Sequence, residues 1–246
     1  MSGPLRCVTW NVHRARGADG RVDPVRVEET LLAEVCPPDA AEILSLQEAD
    51  TETPPHRGLL DVARIEGMTG LVSAHQDAAL RWGPESHGFL GVLLFLSPRL
   101  TLVHAQALDL PGRCHRGAIV VEVQDGARRV RIAATHLSLG QPLRVAQLRT
   151  LGQFIFRRPP MPTILMGDLN EWRPWSGLAL SHRVIGTRLA GPTRATFPVT
   201  RPFLPLDRIL ASPPARVRRA RVLDGPGIRA ASDHRPLAAE VVLPDA

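Results

Sequence analysis

Thr163-Ile164-Leu165-Met166-Gly167-Asp168-Leu169-Asn170-Glu171-Trp172 is an apolar run that stops at a glycine and then presents an acid and an amide. Its apolar run, bounded by Pro162 and Gly167, predicts a short buried strand, and the residues after Gly167 present an acid and a carboxamide at i and i+2, on one side of an extended loop. An acid and an amide aimed together suit an activated water. They also offer a hard cation or a phosphate oxygen both oxygen ligands and hydrogen-bond donors. Taken alone, Gly-Asp-x-Asn is equally an Asx-capped turn.

The arrangement recurs. Leu5 to Trp10 runs into Asn11, Val12 and His13; Ile43 to Leu46 runs into Gln47 and Glu48; Val130 to Thr135 runs into His136. Later, Asp207 sits inside the apolar run Leu206-Asp207-Arg208-Ile209-Leu210, and Ser232-Asp233-His234 precedes a final strand expected over Leu237 to Leu243. In α/β proteins ligands bind outside the carboxyl ends of strands, so residues at such ends converge although they are far apart in sequence.

Taken in order, Thr9-Trp10-Asn11, Gln47-Glu48, Thr135-His136, Gly167-Asp168-Leu169-Asn170, Leu206-Asp207-Arg208 and Ser232-Asp233-His234 resemble the motif series of the endonuclease/exonuclease/phosphatase superfamily. These are metal-dependent phosphoesterases that include deoxyribonucleases, abasic-site endonucleases and sphingomyelinases. Each motif alone is weak, but six in order from residue 9 to residue 234 make chance a poor explanation. Asn11-Val12-His13-Arg14, Gly17 to Arg21, Gly167 to Trp172 and Ala195-Thr196-Phe197-Pro198 look like a group of small bacterial members. The resemblance implies an α/β four-layer sandwich: two mixed β-sheets packed face to face, flanked by helices, with the site at one end of the sheets.

It also implies roles. Glu48 would be the main metal ligand, helped by Asn11 and Asp233, with Mg²⁺ as the ion and Mn²⁺ as a substitute. Asp168 would orient or deprotonate the attacking water, and Asn170 would hydrogen-bond the phosphoryl group. His234, oriented by Asp207, would donate to the developing oxyanions, and His136 would contact the scissile phosphate. Arg116 would clamp substrate or form a structural ion pair. His13 stands where several nucleases carry an acid and is a substrate-contact candidate. Leu90-Gly91 stands where Gly-Asn is usual, and no insertion resembles a DNA-intercalating loop.

Composition suits one domain over 1–246: 44% of residues are hydrophobic and 22% charged, enough to bury a large core. No apolar run approaches the roughly 20 residues that span a bilayer, and Met-Ser-Gly-Pro-Leu-Arg-Cys has no long apolar signal region, so a cytoplasmic monomer is expected. Cys7, Cys36 and Cys114 have neither metal-finger nor redox spacing and are expected to be reduced and structural. Net charge is +6, carried entirely by arginine, whose planar fork suits phosphate. Singly, the arginines of Arg128-Arg129-Val130-Arg131, Arg157-Arg158 and Arg216 to Arg221 read as solvated strand faces; together they favour an anionic partner. Aromatics are 4% with no tyrosine, so no single-strand stacking platform is expected.

Pro24 to Val35 predicts a helix capped by Asp23, and Leu143 to Phe156 a second with Leu148, Leu151 and Ile155 inward. Val92 to Leu96 and Ala118 to Val123 predict strands. Thr51 to Arg57 and Leu189 to Pro205, rich in Pro and Thr, are the expected lips of a cleft. Of the nine histidines, His56, His75, His104 and His182 are expected to be surface or satisfied core residues.

Three functions from different classes fit: a Mg²⁺-dependent phosphoesterase or phosphodiesterase, which extends to a DNA endonuclease or exonuclease; a non-catalytic basic nucleic-acid-binding module; and a dead scaffold, which would have lost Glu48, Asp168 or His234 and has not. The expected partner is a phosphate ester. DNA, a phospholipid headgroup, an inositol phosphate and a nucleotide all remain open, and few aromatics favour small or headgroup-like diesters.

Overall fold

The computed structural model describes residues 3–112, 115–173 and 178–244; Cys114 lies outside them. The strands are β1 (Leu5–Asn11), β2 (Ile43–Gln47), β3 (Val72–Ser73), β4 (Leu93–Leu96), β5 (Thr101–Asp109), β6 (Gly117–Asp125), β7 (Arg128–His136), β8 (Thr163–Asp168), β9 (Asp207–Ala211), β10 (Arg216–Val222) and β11 (Leu237–Val242). Six form one sheet in the order β10-β11-β1-β2-β4-β3, and five form the other in the order β5-β6-β7-β8-β9. Each sheet is mixed, with one parallel pair, β1–β2 and β7–β8, among antiparallel neighbours.

Both faces of the central strands are covered, which explains their nearly unbroken apolar runs. Alternation along β1 sends Leu5 and Cys7 between the sheets, where they meet Ile43, Leu94, Ile119, Ile132, Ile164 and Met166, while Val8 and Trp10 face outward. Helices α1 (Pro24–Thr30), α2 (Val62–Thr69) and α5 (Pro226–Ala231) accompany the outer face of the first sheet, with Val27, Ile65 and Ile228 in its core. Helices α3 (Gln141–Phe156) and α4 (His182–Ile185) cover the second, through Leu148, Leu151, Ile155 and Ile185. The expected four layers are present.

Several local expectations change. Asp23 does cap α1, accepting from Arg26 N at 3.1 Å, but the helix widens at Leu31 into a π turn ending where Cys36 N donates to Leu31 O at 2.6 Å. The strand over 163–166 continues through Gly167 to Asp168. Strand β5 has no counterpart among the sequence expectations, because its half-exposed edge lacks an apolar run. Arg131 is not solvated: it is 1% exposed and donates to Glu122 at 2.9 Å and to Pro159 O at 2.9 Å. Arg158 first, then Arg131, hold the Glu122 carboxyl down at about 2. His75 is a satisfied core residue, bonded through Nδ1 to Leu80 O at 2.7 Å and through Nε2 to Leu94 N at 3.1 Å. Burial lowers it to about 4.

Candidate active site

The carboxyl ends of β1, β2, β7 and β8 and the amino ends of antiparallel β9 and β11 lie at one end of the sandwich. Register does the alignment: His136 pairs with Asp168, and Asp168 with Asp207, so three site residues stand abreast on adjacent strands. Gly167 makes this possible. Its φ is +136°, and a Cβ there would lie 1.9 Å from Thr135 O. On the other sheet Asn11 pairs with Gln47, bringing Glu48 level with it.

One oxygen, Oδ2 of Asp168, is the meeting point. Asn11 Nδ2 donates to it at 3.0 Å, His136 Nε2 lies at 3.4 Å and His234 Nε2 at 3.8 Å. Asp168 Oδ1 accepts from Asn170 N at 3.0 Å, the Asx geometry that the sequence allowed. Asn170 Nδ2 donates to Leu137 O at 2.8 Å and lies 3.3 Å from His136 Nε2. Glu48 is looser: Asn11 Nδ2 stands 3.5 Å and His136 Nε2 3.9 Å from Oε1, and Arg14 Nε 3.6 Å from Oε2. Asn11 Oδ1 accepts from His13 N at 2.9 Å, so its NH₂ group is the part facing the carboxylates. On the far side His234 Nδ1 meets Asp207 Oδ2 at 2.8 Å, and Phe197 packs on the His234 ring with centroids 4.9 Å apart.

Charge is set by burial and neighbours. Burial pushes the Asp168 carboxyl up to about 6, with nearby Asp207 adding to the rise and His234 opposing it. Burial would lower His234, but the carboxylates of Asp207, Asp168 and Asp233 prevail and raise it to about 10. His136 moves the other way: buried and beside Arg116, His234, Arg14 and His115, it falls well below the usual imidazole value and is neutral.

The other sequence candidates lie around this core. Arg116 Nε donates to Leu137 O at 3.2 Å, the carbonyl that also holds Asn170, and its NH1 donates to His115 O at 2.7 Å. His13 Nδ1 is 3.6 Å from Asp233 Oδ1 and 3.0 Å from Arg16 O. The expected lips supply His56 and Phe197.

Supporting residues that have no sequence-assigned role complete the site. Thr196 Oγ1 donates to Asp207 Oδ2 at 2.6 Å, and Ser232 Oγ donates to Asn11 O at 2.7 Å while accepting from His234 N at 3.1 Å. Asp50 pairs with His115 Nε2 at 2.8 Å, and His56, a satisfied buried residue as expected with Nδ1 3.0 Å from Thr51 O, stacks on the His115 ring at 3.9 Å and 26°. The ligand atoms of Asp50, His56 and His115 lie within reach of one ion, but the near-parallel rings aim their lone pairs poorly at a single point; Asp50 and His115 are hydrogen-bonded, with His56 stacked over them. Backbone strain marks the same region: Asp39 and Arg219 aside, the described non-glycine residues with positive φ are His13, Arg14, Ala15, Glu48, His56, Leu90 and Asn170. Each costs about 1–3 kcal/mol and persists where the surroundings over-determine it.

The donor set fits a hard divalent cation. Glu48 has no partner at normal hydrogen-bond length, and the buried oxygens Asp233 Oδ1 and Asp207 Oδ1 have no hydrogen-bond donor among the described residues. Asp168, Asp207 and His234 also form a compact group of metal-ligating type.

The sequence profile of the Endonuclease/Exonuclease/phosphatase family matches residues 8–234. The chain belongs to this family. Its members are hydrolytic phosphoesterases and nucleases, generally dependent on a divalent ion. The uncharacterized protein YbhP of Escherichia coli K12 is 34% identical over 170 residues, and the match spans 65% of this chain and 65% of that relative's length. Among solved structures, the Bacteroides thetaiotaomicron mannosyl-6-phosphatase superposes with a TM-score of 0.69 at 17% identity, over 97% of this chain and 100% of that one. The D. rerio TDP2 complexed with single strand DNA product gives 0.65 at 16%, over 98% and 100%. At these identities the likeness establishes the family's sandwich fold. Among the described residues no helix is long and apolar enough to cross a membrane.

Proposed function

We propose that the chain is a Mg²⁺-dependent hydrolase of phosphoester or phosphodiester bonds that works by attack of an activated water. The observation that carries this reading is the convergence of Asn11, His136 and His234, from three separate segments, on one buried oxygen of Asp168 whose carboxyl titrates at about 6. A carboxylate so poised takes a proton from water near neutral pH, where an exposed aspartate is too weak a base. Glu48 and Asp233 would hold the ion, with Asn11 orienting Glu48 toward it. When bound, the ion neutralises charge on the phosphoryl oxygens. His234, kept cationic by Asp207, donates from Nε2 to the pentacovalent oxyanion. Neutral His136 and the Asn170 amide hold the phosphoryl group without competing for the proton. His13, beside Asp233, and Arg116, which shares the Leu137 carbonyl with Asn170, would contact substrate.

A panel of phosphate mono- and diesters with Mg²⁺ or Mn²⁺ tests the reading. Turnover is expected to vanish with excess chelator and to return when the ion is restored. Chelator-resistant hydrolysis, or salt-sensitive DNA binding without any turnover, overturns it.

A further inference from the structure

The turn after β1 holds a guanidinium in a setting that the proposed catalytic roles do not use. Arg14 is the middle of three consecutive non-glycine residues with positive φ, His13 at 47°, Arg14 at 52° and Ala15 at 56°, and its backbone N–H donates to Glu48 O at 3.1 Å. Its side chain is held through NH1, with Nε facing Glu48. Nε lies 3.6 Å from Glu48 Oε2, while NH1 donates to Asp50 O at 2.9 Å and lies 3.4 Å from Asp50 Oδ1. Asp50 is itself held: His115 Nε2 reaches both carboxylate oxygens at 2.8 and 3.0 Å, and Gly91 backs it so closely that a Cβ there would lie 2.9 Å from Oδ1. The hydrogen bonds of the Arg14 side chain among the described residues all run through NH1, which leaves NH2 free of them, and the side chain is 19% exposed.

We infer that Arg14 is a substrate-binding residue whose NH2 group takes a non-bridging oxygen of a phosphoryl group lying beside Glu48. The inference rests on the phosphoesterase reading and adds a residue to it. An arginine that only neutralised Glu48 and Asp50 would need neither a left-handed turn nor an open nitrogen. A guanidinium tethered through NH1 between Glu48 and Asp50 has already lost much of its rotamer freedom, so presenting a further nitrogen to an oxyanion costs little additional ordering. Strained backbone of this kind is found where side chains are pre-organised for a ligand. Arg14 and Arg116 both act electrostatically on the His136 imidazole, which places the two guanidiniums around the same spot.

Binding of inorganic phosphate in the presence of saturating Mn²⁺, followed by calorimetry, tests the inference, with Mn²⁺ binding alone followed by electron paramagnetic resonance. Arg14→Gln is expected to weaken phosphate binding at least fivefold while Mn²⁺ binds as tightly as before or tighter, since a cation beside Glu48 has been removed. Arg14→Lys, which keeps the charge and loses the fork, should fall between. A smaller loss of phosphate affinity overturns the assignment, as does a parallel loss of Mn²⁺ affinity, which would make Arg14 a support for Glu48 alone. Should Arg14→Gln fail to fold, Arg14→Lys must still weaken phosphate binding; no effect counts against Arg14. Wild-type protein that binds no phosphate overturns the phosphoesterase reading as well.

Discussion

Asp168 carries a conflict between stability and reactivity that a single substitution exposes. In an unfolded chain its carboxyl ionises near 3.8, in the fold near 6, so between those values only the folded state holds the proton. Stability therefore falls as pH rises through that window, and the penalty remains in full above pH 6. Asp168→Asn removes it. The variant should gain about 1–3 kcal/mol at pH 8 by urea denaturation and lose about 10²- to 10⁴-fold in kcat. A variant that keeps more than about a tenth of wild-type turnover removes Asp168 from the mechanism. In the wild type, kcat/KM should rise with pH through about 6 as Asp168 deprotonates and decline toward about 10 as His234 does. His234 and Asp207 act through one hydrogen bond, so His234→Ala and Asp207→Ala should be strongly non-additive in double-mutant kinetics; additive losses would mean that they are not one unit.

Elements place these residues, and β8 does so at its glycine. An alanine at Gly167 would need an unfavourable φ and would drive its Cβ into Thr135 O, the backbone that holds the β7–β8 register. Gly167→Ala should cost more than about 3 kcal/mol in urea unfolding; a loss below about 1 kcal/mol would show that the pair relaxes around a methyl group. At this scale the sequence is informative where strands are buried on both faces. Each central strand announces itself by an apolar run ending on the residue that reaches the site, as in β1, β2, β7 and β8. It is uninformative at the edges, where β5 alternates imperfectly and β10 reads as an arginine cluster. Local signals locate Asp23 as a cap but not the π turn at the other end of the helix, which depends on how Cys36 is received after it. Site partners brought together by tertiary packing, such as Asp50 with His115 across 65 residues or Thr196 with Asp207, leave no periodic trace at all.

The whole molecule divides its candidate centre between two sheets: Asn11, Glu48, Asp233 and His234 come with the first, His136, Asp168, Asn170 and Asp207 with the second. An ion bound across that seam should couple to global stability. At 100 times its dissociation constant, Mg²⁺ should stabilise the fold by about 2.7 kcal/mol, read as a rise in Tm that Glu48→Gln abolishes. With net charge +6 but few aromatics, the chain should favour small diesters and nick DNA weakly, with a salt slope well below the roughly 0.9 per phosphate summed over a long groove. Comparing kcat/KM for a small diester and plasmid DNA at two salt concentrations decides this, and a steep slope with strong DNA preference reverses the choice. Strand β11 carries a further consequence. It is inserted between β1 and β10, and Asp233 and His234 arrive just ahead of it. On a ribosome adding about 5–20 residues per second, the free edge of β1 waits on the order of ten to fifty seconds for that partner. Throughout this interval the nascent chain exposes the edge of β1, and its candidate centre lacks Asp233 and His234, so any activity that rests on them waits until β11 has been made.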